Sequence, residues 1–289
     1  MTRAIGIILG GLLIVASVYS QPAMKTAWEN DGLKGRVRSV KVEKVVTFVE
    51  KFGKWTEGAR TLFESKLYDA GGSQAENASY NADGSLAWKN VFAYNGSGNQ
   101  VECASFNMEG SLAWRTVSTY DAQGRQKEST NYRADGSFAS MKVYAYDEGA
   151  RRTECSNYAA DGSLDYKLIF SRDDGGNVTE WALFNADGSL FSRSTCLYDA
   201  KGRQIESSSY TAEGALVTRD LYTYDDRGNT TAHDIFTANE PLPERTVYLY
   251  DYDKTGNWVK RVAHREVTKF GKTYLEPSEA EYRIIEYYK

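Results

Sequence analysis

A period of 26 residues constrains this chain more than any other feature. Units open at Tyr68, Tyr94, Tyr120, Tyr146, Arg172 and Tyr198, and a degraded copy begins at Tyr224. A repeat of that size is one supersecondary unit that must pack on its neighbours. Each unit holds two turn signals. Asn-Ala-Asp-Gly-Ser (Asn81 to Ser85, Asn185 to Ser189) has the spacing of a type I turn closing a three-residue hairpin loop, with glycine in the left-handed position. Tyr-Asp-x-x-Gly (Tyr198 to Gly202, Tyr224 to Gly228) keeps the same Asp-to-Gly spacing. About eight residues separate the turns, a normal strand length. The reading is all-β: an antiparallel meander of repeated hairpins with about sixteen to eighteen strands, forming a curled open sheet or spiral because so wide a sheet does not stay flat.

If each loop is flush, Tyr80 faces Leu86 and Ala78 faces Trp88, and side-chain direction follows. One face then collects the opening Tyr, a central Tyr or Phe, Leu86 and its equivalents, and Trp88, Trp114 or Tyr166. It also carries one glutamate per unit: Glu76, Glu102, Glu128, Glu154, Glu180 and Glu206. The opposite face receives Lys89 and Val91, Arg115 and Val117, Lys167 and Ile169.

Before the repeats, residues 1–20 carry a single early charge, Arg3, an apolar run from Ala4 to Val18, and small residues in Val18-Tyr19-Ser20 ahead of Gln21, as in a cleaved export signal. The run is short for a membrane span of about 20 residues. Residues 21–35 read as a lead-in linker and 36–289 as one β domain. Within it, 36–67 form an amino-terminal cap hairpin with a strand reaching about Val49, 68–251 the repeats, and 252–289 a carboxy-terminal cap. The caps share a phrase, Lys51-Phe52-Gly53-Lys54 and Lys269-Phe270-Gly271-Lys272. Prolines at 241 and 243 place a loop or sheet interruption at 238–244.

Tyr222-Thr223-Tyr224-Asp225-Asp226-Arg227-Gly228-Asn229, Tyr144-Ala145-Tyr146-Asp147 and Tyr198-Asp199-Ala200-Lys201-Gly202-Arg203 resemble the YD repeat of rearrangement-hotspot (RHS) proteins and their toxin-shell relatives. The likeness covers roughly Tyr68 to Lys260. It implies hairpins in a long antiparallel sheet that spirals into a hollow shell, sometimes with carbohydrate contact. Asp-Pro occurs nowhere, so the family's core cleavage motif is missing, and the repeats are too few for a closed capsule. Short exported bacterial proteins built only of such repeats are a plainer match.

The chemistry-bearing residues are sparse. His233 and His264 have no metal-ligand spacing, no phosphate loop or nucleophile elbow is present, and the Asp-Gly turns lack the rest of a calcium loop. No catalytic residue, metal or cofactor is expected. A net charge of −4 with mixed signs marks no nucleic-acid or anionic-membrane surface, and no stable membrane span is expected after signal cleavage. Cys103 and Cys155 lie four strands apart, about 19 Å, beyond disulfide reach, and Cys196 is expected on the other face, so no intrachain disulfide is expected.

These observations point to an exported, non-catalytic scaffold, in the periplasm, at the cell surface or secreted, with a glycan or an envelope protein as partner. The candidate contact residues are Trp88, Trp114, Tyr166, Glu76, Glu102, Glu128 and Glu154, with exposed rings about 9.5 Å apart along the sheet. Core packing of each Trp over Ala78 or Ala104 competes with that reading. The alternatives are a glycan-cleaving enzyme using one ladder glutamate, and a shell-like or outer-membrane barrel component, the latter opposed by the Glu, Lys or Arg that every repeat would turn to lipid.

Overall fold

The computed structural model describes residues 26–289 other than Asn239 and Pro241; the export-signal reading of 1–20 lies outside them. After a capped turn of helix, α1 (Ala27–Asn30), the described residues form twenty strands. These begin with β1 (Val37–Val45), β2 (Phe48–Lys51), β3 (Lys54–Glu57) and β4 (Thr61–Tyr68). The repeats follow as β5 (Gln74–Tyr80), β6 (Leu86–Tyr94), β7 (Gln100–Phe106), β8 (Leu112–Tyr120), β9 (Gln126–Arg133), β10 (Phe138–Tyr146), β11 (Arg152–Tyr158) and β12 (Leu164–Arg172). They continue through β13 (Val178–Asn185), β14 (Leu190–Tyr198), β15 (Gln204–Thr211), β16 (Leu216–Tyr224), β17 (Thr230–Thr237) and β18 (Glu244–Tyr252). The longest pair, β19 (Trp258–Lys269) and β20 (Lys272–Tyr287), ends the chain.

The turns behave as their sequence requires. The Asn81 amide donates to Ser85 O and the Gly84 amide to Asn81 O, with Gly84 at φ 84°. At the opposite end of the strands, Asp121 Oδ1 accepts from the Gln123 and Arg125 amides at 3.0 and 2.9 Å. Aspartate thus ties its own turn, and glycine supplies the left-handed residue.

The sheet is closed, not open or spiral. β1 pairs antiparallel with both β4 and β20, while β4 to β20 pair in chain order, so eighteen strands form a ring and β2–β3 stand apart as a hairpin. The terminal segments are therefore not caps on two free ends; they meet at the seam, because β1 satisfies the edges of the first and last array strands together. The first strand stops at Val45 and does not run to Val49. β17 ends at Thr237 and β18 begins at Glu244, so the ladder is interrupted near the prolines, but the two strands still pair, from Ala232↔Val247 to Ile235↔Glu244.

Closure alone does not decide which side chains turn inward. Tyr80 pairs with Leu86 as the flush loop demands, but Ser79 pairs with Trp88 and Ala78 with Lys89, so one residue of β6 is extra. The other turn does the same: Tyr94 pairs with Gln100 and Ala93 with Glu102. These bulges reverse the alternation and correct the facial assignment. Glu76, Ala78, Tyr80, Leu86, Lys89 and Val91 share one face; Asn77, Ser79, Trp88, Asn90, Phe92 and Tyr94 share the other.

The Trp88 face lines the interior. Its members Ser118, Ser129, Cys155, Asn157, Ser194 and Cys196 are buried, whereas the Glu76 face carries exposed Leu67, Val91, Leu197 and Leu249. All three cysteines are free, and Cys196 lies on the same inward face as Cys103 and Cys155. A ring of eighteen strands at ~4.8 Å spacing measures about 86 Å around before tilt, enough to leave an aqueous interior. Few large apolar side chains are fully buried; the main cluster is Leu33, Val37, Val40 and Tyr68, packed with Trp28, Val42, Ile285 and Tyr287. From Thr26 onward, the lead-in expected as a linker thus anchors to the wall. Trp28 Nε1 donates to Val37 O at 2.7 Å, Asp31 meets Lys66 at 2.9 Å and accepts from Tyr68 Oη at 2.5 Å, and Asn257 Nδ2 donates to Lys34 O at 2.9 Å.

Candidate functional site

The wall divides the candidate contact residues. Trp88, Trp114 and Tyr166 face the lumen, and Glu76, Glu102, Glu128 and Glu154 face out, so no site uses both sets. Three of the four outward candidate glutamates are held by basic residues of the next strand, Glu76–Lys89 at 3.4 Å, Glu102–Arg115 at 2.7 Å and Glu154–Lys167 at 2.6 Å, as is Glu206–Arg219 at 2.7 Å beyond the candidate set, whereas Glu128 lies opposite Val143 and forms no ion pair among the described residues. The hydrogen bond from Arg115 lowers the Glu102 pKa, and that from Arg219 lowers Glu206. A general acid needs the opposite shift. The recurrence of opposite charge thirteen residues apart was the sequence signal that these pairs share a face.

Inside, β5 to β8 offer an uncharged, aromatic and amide-rich surface. Trp88 lies beside Ser79 and Trp114 beside Ser105, not over Ala78 and Ala104, and the indoles are 42% and 50% exposed. Between them Ser105 Oγ donates to Asn90 Oδ1 at 2.6 Å, and further round Thr116 Oγ1 donates to Asn131 Oδ1 at 2.8 Å while Asn131 Nδ2 donates to Ser140 Oγ at 3.0 Å. Tyr166 continues the aromatic series beyond β8, paired with Asn157 and Asn185.

The lumen's other side is charged. His233 Nε2 lies 2.7 Å from Asp220 Oδ1 with its ring stacked on Tyr222 at 4.6 Å. Arg261 donates to Glu281 at 2.6 Å, Lys44 lies 3.2 Å from Glu281, and the Arg283 guanidinium sits 3.5 Å above the Trp258 ring. Burial lowers the Arg283 pKa. Because these cations are matched by carboxylates or stacked on rings, their arrangement is that of a structural seam beside the closing strand.

A tyrosine ladder, missed in the sequence, rims the Tyr-Asp end. The hydroxyls of Tyr94, Tyr120, Tyr146, Tyr198, Tyr224 and Tyr250 each donate to the carbonyl twenty residues back, at 2.5–2.8 Å. Burial raises the pKa values of these phenols. Among the described residues no group of three or more His, Cys, Asp or Glu is arranged to hold a metal ion, and no helix is long and apolar enough to cross a membrane.

No protein-family model matches the chain, and no curated protein matches it either. Among solved structures, a porin-like protein from Bacteroides vulgatus is 11% identical with a TM-score of 0.36, over 88% of this chain and 99% of that one. A porin-like protein from Bacteroides uniformis is 9% identical with a TM-score of 0.33, over 88% and 98%. The TcdB2–TccC3 structure is 11% identical with a TM-score of 0.33, over 76% of this chain and 18% of that one. Likenesses this weak carry no functional argument, which rests on the barrel's own geometry.

Proposed function

We propose that the protein is an exported, non-catalytic, shell-like barrel that binds a neutral carbohydrate in its lumen. The observation that carries this is the pair Trp88 and Trp114, half-exposed to the interior two strands apart, about 9.5 Å, and flanked by serine and asparagine. Rings at that spacing suit the apolar faces of successive sugars, and the amides and hydroxyls suit their hydroxyl groups. On this reading the chain is a short shell-forming relative of the YD-repeat proteins, its Tyr-Asp turn being the joint between hairpins. Retention of the mature chain on a neutral glycan array, weakened at least tenfold by Trp88→Ala and Trp114→Ala together, is the expected result; binding unchanged by that pair would refute it. Turnover abolished by a single Glu→Gln change would instead favour a glycan-cleaving enzyme.

A membrane-spanning barrel is the second reading, favoured by closure of an even-numbered antiparallel ring. Against it, Lys89, Arg115, Lys167 and Arg219 lie within strands on the outer face, where each would cost about 2–4 kcal/mol at a bilayer midplane. Recovery of the mature chain in the soluble fraction without detergent supports the first reading; recovery only in detergent supports the second.

A further inference from the structure

Both hairpins at the end opposite the tyrosine rim finish in the same four residues, and both do so at a conformational cost. In the β2–β3 turn Lys51 pairs with Lys54, and Phe52 and Gly53 take φ of 52° and 74°. In the β19–β20 turn Lys269 pairs with Lys272, and Phe270 and Gly271 take 53° and 74°. Positive φ at both central residues defines the two-residue turn in which asparagine or glycine normally comes first; a phenylalanine there is an outlier. Neither ring packs on the protein: Phe52 and Phe270 are 104% and 103% exposed. Strain at an exposed, bulky residue, occurring twice, calls for a use outside the fold.

The two tips stand together. β18 and β1 leave β19–β20 at Arg265 and Ala280, so the hairpin beyond them overhangs the ring. Glu57 ties the β2–β3 hairpin to the same region, 2.8 Å from Lys260 and accepting from Tyr282 Oη, while Arg60 lies 3.4 Å above the Tyr282 ring. The hydrogen bond to Glu276 raises the Lys269 pKa, and the nearby charge of Glu50, from the other hairpin, adds to it. Val49, Trp55, Tyr274 and Leu275 are also exposed on these hairpins. Lys269 is held by Glu276 at 2.5 Å; among the described residues Lys51, Lys54 and Lys272 form no ion pair. A chain of net charge −4 thus concentrates unpaired cations around its two most exposed aromatic rings.

We propose that the paired tips dock the barrel on an anionic lipid bilayer, with Phe52 and Phe270 entering the boundary between headgroups and acyl chains and the lysines meeting lipid phosphates. Interfacial binding strengthens with buried apolar area and with attraction of cations to anionic lipids, and the tips supply both. The barrel stands on the membrane without spanning it, leaving the lumen free.

The test is cosedimentation of the mature chain with phosphatidylglycerol/phosphatidylethanolamine vesicles and with pure phosphatidylcholine vesicles, read beside thermal melting. Binding is expected only to the anionic vesicles and to weaken with salt. The double variant F52G/F270G should bind roughly tenfold less while melting at a higher temperature, because glycine relieves both strained positions. K51Q/K54Q/K272Q should remove the salt dependence. Equal binding to both vesicle types, unchanged binding by F52G/F270G, or a lower melting temperature in that variant would each overturn the proposal, the last by showing the rings to be structural.

Discussion

Tyr120 Oη donates a 2.6 Å hydrogen bond to the carbonyl of Gln100, which lies on the preceding strand beside an extra bulge residue. A bulge locally disrupts the ladder, and the phenol gives the carbonyl beside it a donor. The recurring tyrosine is therefore a hydrogen-bonding part of the hairpin joint as well as an apolar surface.

Tyr120→Phe should cost about 1–2 kcal/mol, the penalty of an unsatisfied carbonyl, with the ring's packing retained. Urea denaturation would show it as a lower midpoint at unchanged slope. An unchanged midpoint would mean that water replaces the hydroxyl.

Acid should unfold the barrel through its turns. A hydrogen bond from Arg203 lowers the pKa of Asp199, and hydrogen bonds from Ser85 and Ser189 lower those of Asp83 and Asp187. Carboxylates with depressed folded-state pKa values contribute stability that is complete above their unfolded value near 4 and lost as pH falls through the folded value. Melting temperature should thus be insensitive to these groups from about pH 5 to 7 and drop below about pH 4. Asp199→Asn together with Asp187→Asn should make that drop shallower.

Ala150 takes φ of 52° where most sibling turns place glycine. Ala150→Gly should stabilise by about 0.5–1 kcal/mol, relief of the left-handed strain being partly offset by the freer unfolded chain. Denaturant titration checks it.

Trp88→Ala and Trp114→Ala should each cost less than about 1 kcal/mol, whereas removing a core tryptophan costs about 3–5 kcal/mol. Arg115→Ala should leave thermal melting nearly unchanged, as loss of an exposed ion pair does. A large loss at either tryptophan in thermal melts would return it to the core.

Much of this architecture could be read from residues. The turns announce themselves through Asp, Asn and Gly, and β6 begins and ends where its flanking turns require, at Leu86 and Tyr94. The facial assignment could not be read in the same way, because the extra residues are an ordinary alanine at 87 and valine at 101 with no special backbone chemistry. That single unmarked residue moved Trp88 from an expected seat over Ala78 to the lumen and separated it from Glu76. Closure was hidden for a different reason: pairing of β1 with β20 joins residues at opposite ends of the chain, and nothing local in Val37–Val45 names its second partner. Where side chains did report their neighbours, as in Glu76 with Lys89, the signal was spread over a register that the bulge had shifted.

Every 26-residue unit contributes two strands, so gaining or losing one unit leaves the ring even-numbered and its closing pair antiparallel. Duplication or deletion in the coding sequence would therefore change the calibre of the barrel without breaking its seam, in steps of about 9.6 Å of circumference. The architecture is a gauge that can be reset by whole repeats, each one widening or narrowing the bore by the same step.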